Sequence, residues 1–162
     1  MNELRLRQPR HSADPRAVRY WTVDAVIGAV VVVVPLAVAY QLTGRPAALG
    51  AAAAGAAVLA VALTVFAPRV YYRAVRWEVT DEAVYTRSGL MVRTWRAAPL
   101  SRVQTVDTVR GPLQRHFGLA DVTVTTASAA GALKIRGLDH EEAARLAEQL
   151  TLLTQATPGD AT

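Results

Sequence analysis

The sequence predicts a two-helix transmembrane hairpin followed by a small, short-stranded β domain closed by one C-terminal α-helix. Three observations carry that reading. Between Trp21 and Arg69 only Asp24 and Arg45 are charged among 47 residues. From Ala74 onward, continuous apolarity gives way to short alternating pieces separated by turn residues. The stretch 139–153 then carries apolar residues at helical spacing.

The hairpin comes first. Its apolar runs are Ala25 to Leu42 and Ala47 to Ala67, joined by the polar turn Thr43-Gly44-Arg45-Pro46. At ~1.5 Å per residue they reach roughly 27 and 31 Å, against a hydrocarbon core of ~30 Å. The spans are placed at 20–43 and 46–69, after a basic tail over 1–19. Arg5, Arg7, Arg10, Arg16 and Arg19 precede the first span, opposed by Glu3 and Asp14, and Arg69, Arg73 and Arg76 follow the second. The turn holds Arg45 alone, so the positive-inside rule puts both termini of a multi-pass plasma-membrane protein in the cytoplasm. Tyr20, Trp21, Tyr71, Tyr72 and Trp77 are expected at the membrane interface, and Asp24 at the headgroup boundary. Pro35 removes the donor that would serve the Val31 carbonyl. Alanine makes up 11 of the 21 residues in the second run. Ala47, Ala51 and Gly55, like Gly50 and Ala54, recur every four residues and permit close helix approach, within the chain or between chains.

Two other readings of the apolar segment fit the sequence less well. A buried helix of a soluble protein fits poorly with two such runs back to back between arginine flanks. A signal peptide cleaved after Ala39 is suggested by Ala37-Val38-Ala39. The long leader with two acids, and an apolar run longer than a usual signal core, argue against it.

Composition narrows the rest. With 162 residues, the chain has room for one modest domain beside the hairpin, too small for a large catalytic unit. It has no cysteine, which excludes disulfides and thiolate metal sites. Net charge is +5, yet residues 71–162 hold 11 basic and 10 acidic residues. The excess therefore lies at the membrane flanks, and nucleic acid is not an expected partner. His11, His116 and His140 are scattered, and no zinc-type pairing, glycine-rich phosphate loop or nucleophile elbow is present. Asp81-Glu82 lies in a turn, and Glu141-Glu142 opens a helix where acids suit the dipole. No catalytic residue, metal, cofactor or small-molecule substrate is expected.

In the β domain, Val75 to Val79 alternates and stops at the turn Thr80-Asp81-Glu82. Val84 to Arg87 and Met91 to Ala97 form a hairpin about Ser88-Gly89. Arg102 to Arg110 is Val- and Thr-rich with imperfect alternation, which predicts a bulge or a one-residue turn in register, and it breaks at Gly111-Pro112. Asp121 to Thr126 sets Val122 and Val124 against Thr123 and Thr125. A loop over Ser128 to Gly131 leads to a strand with Leu133 and Ile135 inward. Asp139 caps a helix in a D-x-x-E start, and Ala143, Leu146, Ala147, Leu150 and Leu153 line one side of it. The first dozen residues and those from 157 to 162 read as disordered ends.

Three stretches carry a resemblance: Pro99 to Val106 (PLSRVQTV), Gly111 to Val122 (GPLQRHFGLADV) and Thr126-Ala127-Ser128. Together with the order of parts, they resemble the bacterial pleckstrin-homology (PH) domain of YdbS-like membrane proteins over residues 15–155. The resemblance implies a PH-like domain over 71–155, with two roughly orthogonal antiparallel sheets of six to seven strands and a helical cap. It also implies an association with larger PH-repeat membrane proteins and with resistance to membrane-active peptides.

Functionally, the chain reads as a membrane-anchored, non-enzymatic binding module that engages a protein partner or a second copy of itself. Sensing of anionic lipid or envelope stress is the alternative. Candidate contact residues are Arg87, Arg93 and Arg96 around the first hairpin, and Arg102, Gln104, Gln114 and Arg115 around the central motif. Gly111, Pro112 and Gly118 are read as setting turn geometry, with Leu113 and Phe117 plugging the core. Eight of the eleven basic residues after position 70 lie between Arg73 and Arg115, while 139–148 holds four acids and one arginine.

Overall fold

A computed structural model describes residues 9–89, 92–127 and 131–156. The chain divides into two compact units, Val18–Val70 and the remainder, in which residues up to Ala17 join those from Tyr71 onward.

The strand β1 (His11–Ser12) precedes α1 (Arg16–Leu42) and α2 (Ala47–Ala74). The two helices, 27 and 28 residues long, are each long and apolar enough to cross a membrane. Their large side chains face outward, with Val31 66%, Val58 72% and Phe66 66% exposed, and neither apolar window is buried. That exposure removes the soluble-core reading, since a soluble protein does not present so large a contiguous apolar surface to water. α1 passes through Pro35, and α2 continues through Pro68 to Ala74, beyond the end expected at 69. At Gly50 a Cβ would stand 2.9 Å from Cε2 of Tyr40, so this small residue serves an approach within the chain. Gly55 has open space around it.

The second unit holds β2 (Arg76–Val79), β3 (Ala83–Ser88), β4 (Thr94–Pro99), β5 (Val103–Val109), α3 (Pro112–Phe117), β6 (Leu119–Thr126), β7 (Leu133–Asp139) and α4 (His140–Ala156). The strands form two antiparallel sheets, ordered β1-β2-β3-β4 and β5-β6-β7. Val84, Leu100, Val122, Val124, Ile135 and Leu150 are fully buried between the sheets and α4. The bulge expected in β5 is present, as a register shift between Val103 and Thr105. Asp139 caps α4 through Oδ1, which accepts from the N–H groups of Glu141 (2.9 Å) and Glu142 (3.4 Å). Ala143, Leu146 and Leu150 are buried, as their helical spacing predicts.

Four features differ from the sequence reading. Gly111 to Gly118 is a one-and-a-half-turn helix, not a bare turn, started by Pro112 at a position that needs no N–H donor and ended by Gly118 in the left-handed conformation (φ 67°). Within it Leu113 and Phe117 are half-buried while Gln114 is buried, and Leu119, fully buried, takes the plugging role. Trp77 is a buried residue of β2 stacked on His11 at 4.8 Å, not an interfacial ring. The second hairpin strand begins at Thr94; Met91 lies outside the described residues, as do 1–8, 128–130 and 157–162, so the expectations placed there are not addressed.

The fourth difference is the N-terminal segment. His11 and Ser12, expected in a disordered end, pair with Trp77 and Arg76 at the edge of β2. The Asp14 N–H donates to the Gly137 carbonyl (2.8 Å), and Ala13 and Ala17 are buried. Arg16 bonds both Asp14 (Nε to Oδ1, 3.0 Å) and the capping residue Asp139. Gly137, at φ 70°, donates its own N–H to Oδ1 of Asp121 (2.8 Å). One glycine thus links the clasp to the interior.

Arg16 holds the Asp14 carboxyl below its ordinary value of 3.8. At Asp139 burial acts upward, and hydrogen bonds from Arg16 and the α4 N–H groups outweigh it, leaving that carboxyl lowered too. Lowered carboxyls contribute stability that is complete above the unfolded value and is lost as pH falls through the folded values. Arg16→Gln is therefore expected to lower the melting temperature slightly at neutral pH. That gap should close as pH drops below 3.8, in near-UV circular dichroism melts of the full chain. A pH-independent gap would remove the ionic account of the clasp.

Candidate functional site

A helix end leaves carbonyls without intrahelical donors, and α2 is followed almost at once by β2. Arginines supply what is missing. Nη1 of Arg76 donates to the carbonyls of Tyr72 (3.2 Å) and Val75 (2.9 Å). Arg87 donates through Nε to Ala74 (3.2 Å) and through Nη2 to Arg73 (3.3 Å). Cations also suit the negative end of a helix dipole. Strand register brings the two arginines together, because Arg76 pairs with Arg87 and Arg87 with Trp95. The Arg87 guanidinium lies 5.4 Å from the centre of the Trp95 ring.

The neighbouring row is Trp77, Thr86 and Arg96. Arg96 reaches the segment before β7, donating to the carbonyls of Ala132 (2.8 Å) and Gly131 (3.2 Å). On β7, Leu133 and Ile135 turn inward while Lys134 and Arg136 are exposed. Nη1 of Arg136 lies 3.3 Å from the Tyr71 hydroxyl. Arg76, Arg87, Arg96, Lys134 and Arg136 border one cavity of about 370 Å³, with Tyr71, Val75, Trp77 and Ser88 among its other walls. Among the described residues no carboxylate lines it.

Among the described residues Arg76, Arg87, Lys134 and Arg136 form no ion pair. Asp121 is an acid that feels two of them, Arg136 and Lys134, and its carboxylate accepts from the Gly137 N–H and the Gln114 side chain. Burial pushes this carboxyl up from its ordinary value, against those hydrogen bonds and the charges of Arg136 and Lys134. Trp77 adds a buried Nε1–H with no acceptor among the described residues. The arrangement is a concentration of donors and positive charge, suited to holding an anion.

Of the residues singled out from sequence, Arg87 and Arg96 meet at this cavity. Arg93 is exposed and stands outside its lining. Arg102 is exposed in the 3-10 turn Leu100–Arg102, Gln104 lies on the exposed bulge, and Arg115 on the outer side of α3. Gln114 is structural: its Oε1 accepts from the Gly111 N–H at 2.8 Å and its side chain also bonds Asp121. These four therefore do not form one polar cluster. Sequence reading missed Arg76, Lys134 and Arg136 as site residues. The signal for the last two was the alternation Lys134-Ile135-Arg136, which sends both charges outward from a strand with an inward Ile.

Elsewhere, His11 stacks on Trp77, His116 packs edge-on against Phe117, and His140 opens α4. Among the described residues no group of three or more His, Cys, Asp or Glu stands together to hold a metal ion. A second cavity of about 360 Å³, between α1 and α2, is lined by Val, Ala and one threonine, Thr64.

Comparison with known proteins agrees with this architecture. The bacterial PH domain family matches residues 22–154. The transmembrane protein YdbS of Bacillus subtilis (strain 168) is 32% identical over 164 residues, covering 94% of this chain and 98% of the relative. No solved structure matches.

The bonds of Arg87 to the end of α2 give it a structural share that Arg93 lacks. Arg87→Ala is expected to cost about 1–3 kcal/mol of domain stability, the scale for hydrogen bonds to charged groups. Arg93→Ala should stay within about 0.5 kcal/mol of wild type. Chemical unfolding of the full chain in micelles distinguishes them; equal effects would refute the assignment.

Proposed function

We propose, from the premise that this chain belongs to the bacterial PH domain family, a non-enzymatic binding module held at the inner face of the plasma membrane by its helical hairpin. Its ligand is anionic and is engaged at the basic cavity. The observation that carries this reading is the gathering of four arginines and the chain's one lysine around a cavity with no carboxylate among the described residues of its lining. Such a set is electrostatically unfavourable by itself and is relieved by a bound negative charge. A protein partner fits this reading when it presents an acidic segment.

Cytoplasmic placement of both termini is supported by the arginine flanks. It is also supported by the pairing of β1 with β2, which requires the segment before the first span and the domain after the second to share one side. The chain lacks cysteine, so single cysteines can report orientation. A membrane-impermeant thiol reagent on intact cells should label Thr43→Cys and spare Ser101→Cys. The opposite pattern would invert the topology.

Lys134 gives a direct probe of the cavity. With the full chain in phosphatidylcholine nanodiscs, pyrophosphate or hexaglutamate should slow modification of its amine, read by peptide mass spectrometry. Arg136→Gln should weaken that protection about fivefold, on the scale of ~1 kcal/mol per surface cation. Arg93→Gln removes the same charge outside the cavity and should leave protection unchanged. Absence of protection by either anion at low ionic strength would sink the proposal.

A further inference from the structure

Resting on the reading of the cavity as an anion site, we propose that its occupant is the phosphate of a net-anionic lipid headgroup, one with no cation of its own, from the same bilayer that holds the hairpin. The donors fit that chemistry. Guanidinium forks match the geometry of phosphate oxygens and bind them in pairs, and an ammonium adds a point charge. Around the cavity Arg136 and Lys134 are the exposed cations, and Lys134 makes no hydrogen bond among the described residues. Arg76, Arg87 and Arg96 are each fixed by backbone carbonyls, so their positive charge is positioned before any ligand arrives.

Size favours a headgroup over a folded segment. About 370 Å³ lies within the ~300–1,000 Å³ range of small-molecule sites, whereas an α-helix alone is ~10–12 Å across. The wall is also mixed. Val75, Trp77 and Ile135 stand beside the cations, a lining suited to a molecule whose polar group continues into an apolar one.

Depth along the anchor helix favours a lipid over a soluble phosphate. The apolar run of α2 ends at Ala67, and Tyr71, which lines the cavity, lies four residues further along the same helix. That is ~6 Å of helical rise. The headgroup layer is ~5–7 Å thick on each side of the hydrocarbon core. Chain connectivity therefore brings one wall of the cavity to headgroup depth, where lipid phosphate is permanently concentrated.

The test uses the full chain in nanodiscs of phosphatidylcholine alone and of equal parts phosphatidylcholine and phosphatidylglycerol. Modification of the Lys134 amine should be about fivefold or more slower in the mixed discs. Arg136→Gln, with a near-UV spectrum like that of wild type, should restore the rate in the same discs, while Arg93→Gln should not. Equal rates in the two lipids for the wild-type chain would overturn the inference, as would equal rescue by both variants, which indicates a diffuse surface potential. Full protection by inorganic phosphate in phosphatidylcholine discs would overturn the lipid source. Protection by hexaglutamate without protection by phosphatidylglycerol would refute the lipid and leave the anion site standing. Failure of every anion would remove both.

Discussion

The carbonyls at the end of α2 impose the constraint on which the domain's architecture turns. The helix finishes at Ala74 and a strand begins at Arg76, so its last turn receives no long capping loop. Arg76 and Arg87 satisfy three of those carbonyls, Tyr72, Arg73 and Ala74, and that of Val75 just beyond them, from the side. To do so, β3 must pair with β2 in the register that sets Arg87 opposite Arg76. A one-residue slip would turn Arg87 to the other face and bury the wrong alternate residues of β3. The helix terminus and the sheet register therefore support each other. One consequence is chemical: the groups that finish the helix are permanent cations, and they stand together.

The N-terminal segment supplies a second tie of a different kind. It extends the first sheet through His11 and Ser12 and reaches the second through Gly137, at the end of β7. Gly137 can serve both Asp14 and Asp121 because its φ of 70° departs from the strand conformation that its neighbours keep. Arg16 then joins Asp14 to the cap of α4. A segment of nine residues, 9–17, thus touches both sheets and the start of the closing helix. Its polar bonds are mostly to backbone, where the partner cannot rotate away.

Legibility in the sequence followed the range of the interaction. The spans were readable because apolar composition over some twenty residues has few alternatives. Val122, Val124, Leu133 and Ile135 were readable from period-two alternation, and the start of α4 from Asp139 and Glu142. By contrast, α3 was hidden because Pro112 and Gly118 signal a turn as strongly as they signal the two ends of a short helix. Gln114 was assigned to the surface because a glutamine shows its burial only through a partner, and that partner, Asp121, sits in a neighbouring strand. The clasp was invisible for a similar reason: His-Ser has no strand signature, and β1 exists through pairing with β2. At the cavity, Arg87 and Arg96 could be singled out as a local cluster. Joining them to Lys134 and Arg136 required knowing that β3 and β7 meet.

Charge in this domain is therefore better described by position than by total. The eleven basic and ten acidic residues after position 70 nearly cancel, and a net value would suggest an electrostatically featureless module. Yet Glu141, Glu142 and Glu148 stand on α4 with Arg145 alone among them, while the cavity gathers five cations from four strands with no acid among the described residues of its lining. At an ionic strength near 0.1 M the Debye length is ~10 Å, so opposite charges on separate faces do not silence each other. What a ligand meets is the local set. For a domain that follows an apolar run after only one helical turn of chain, that set matters more than the overall charge. Under the proposed function the hairpin would act on recognition as well as on location, holding the site near its ligand at an effective concentration set by the chain itself.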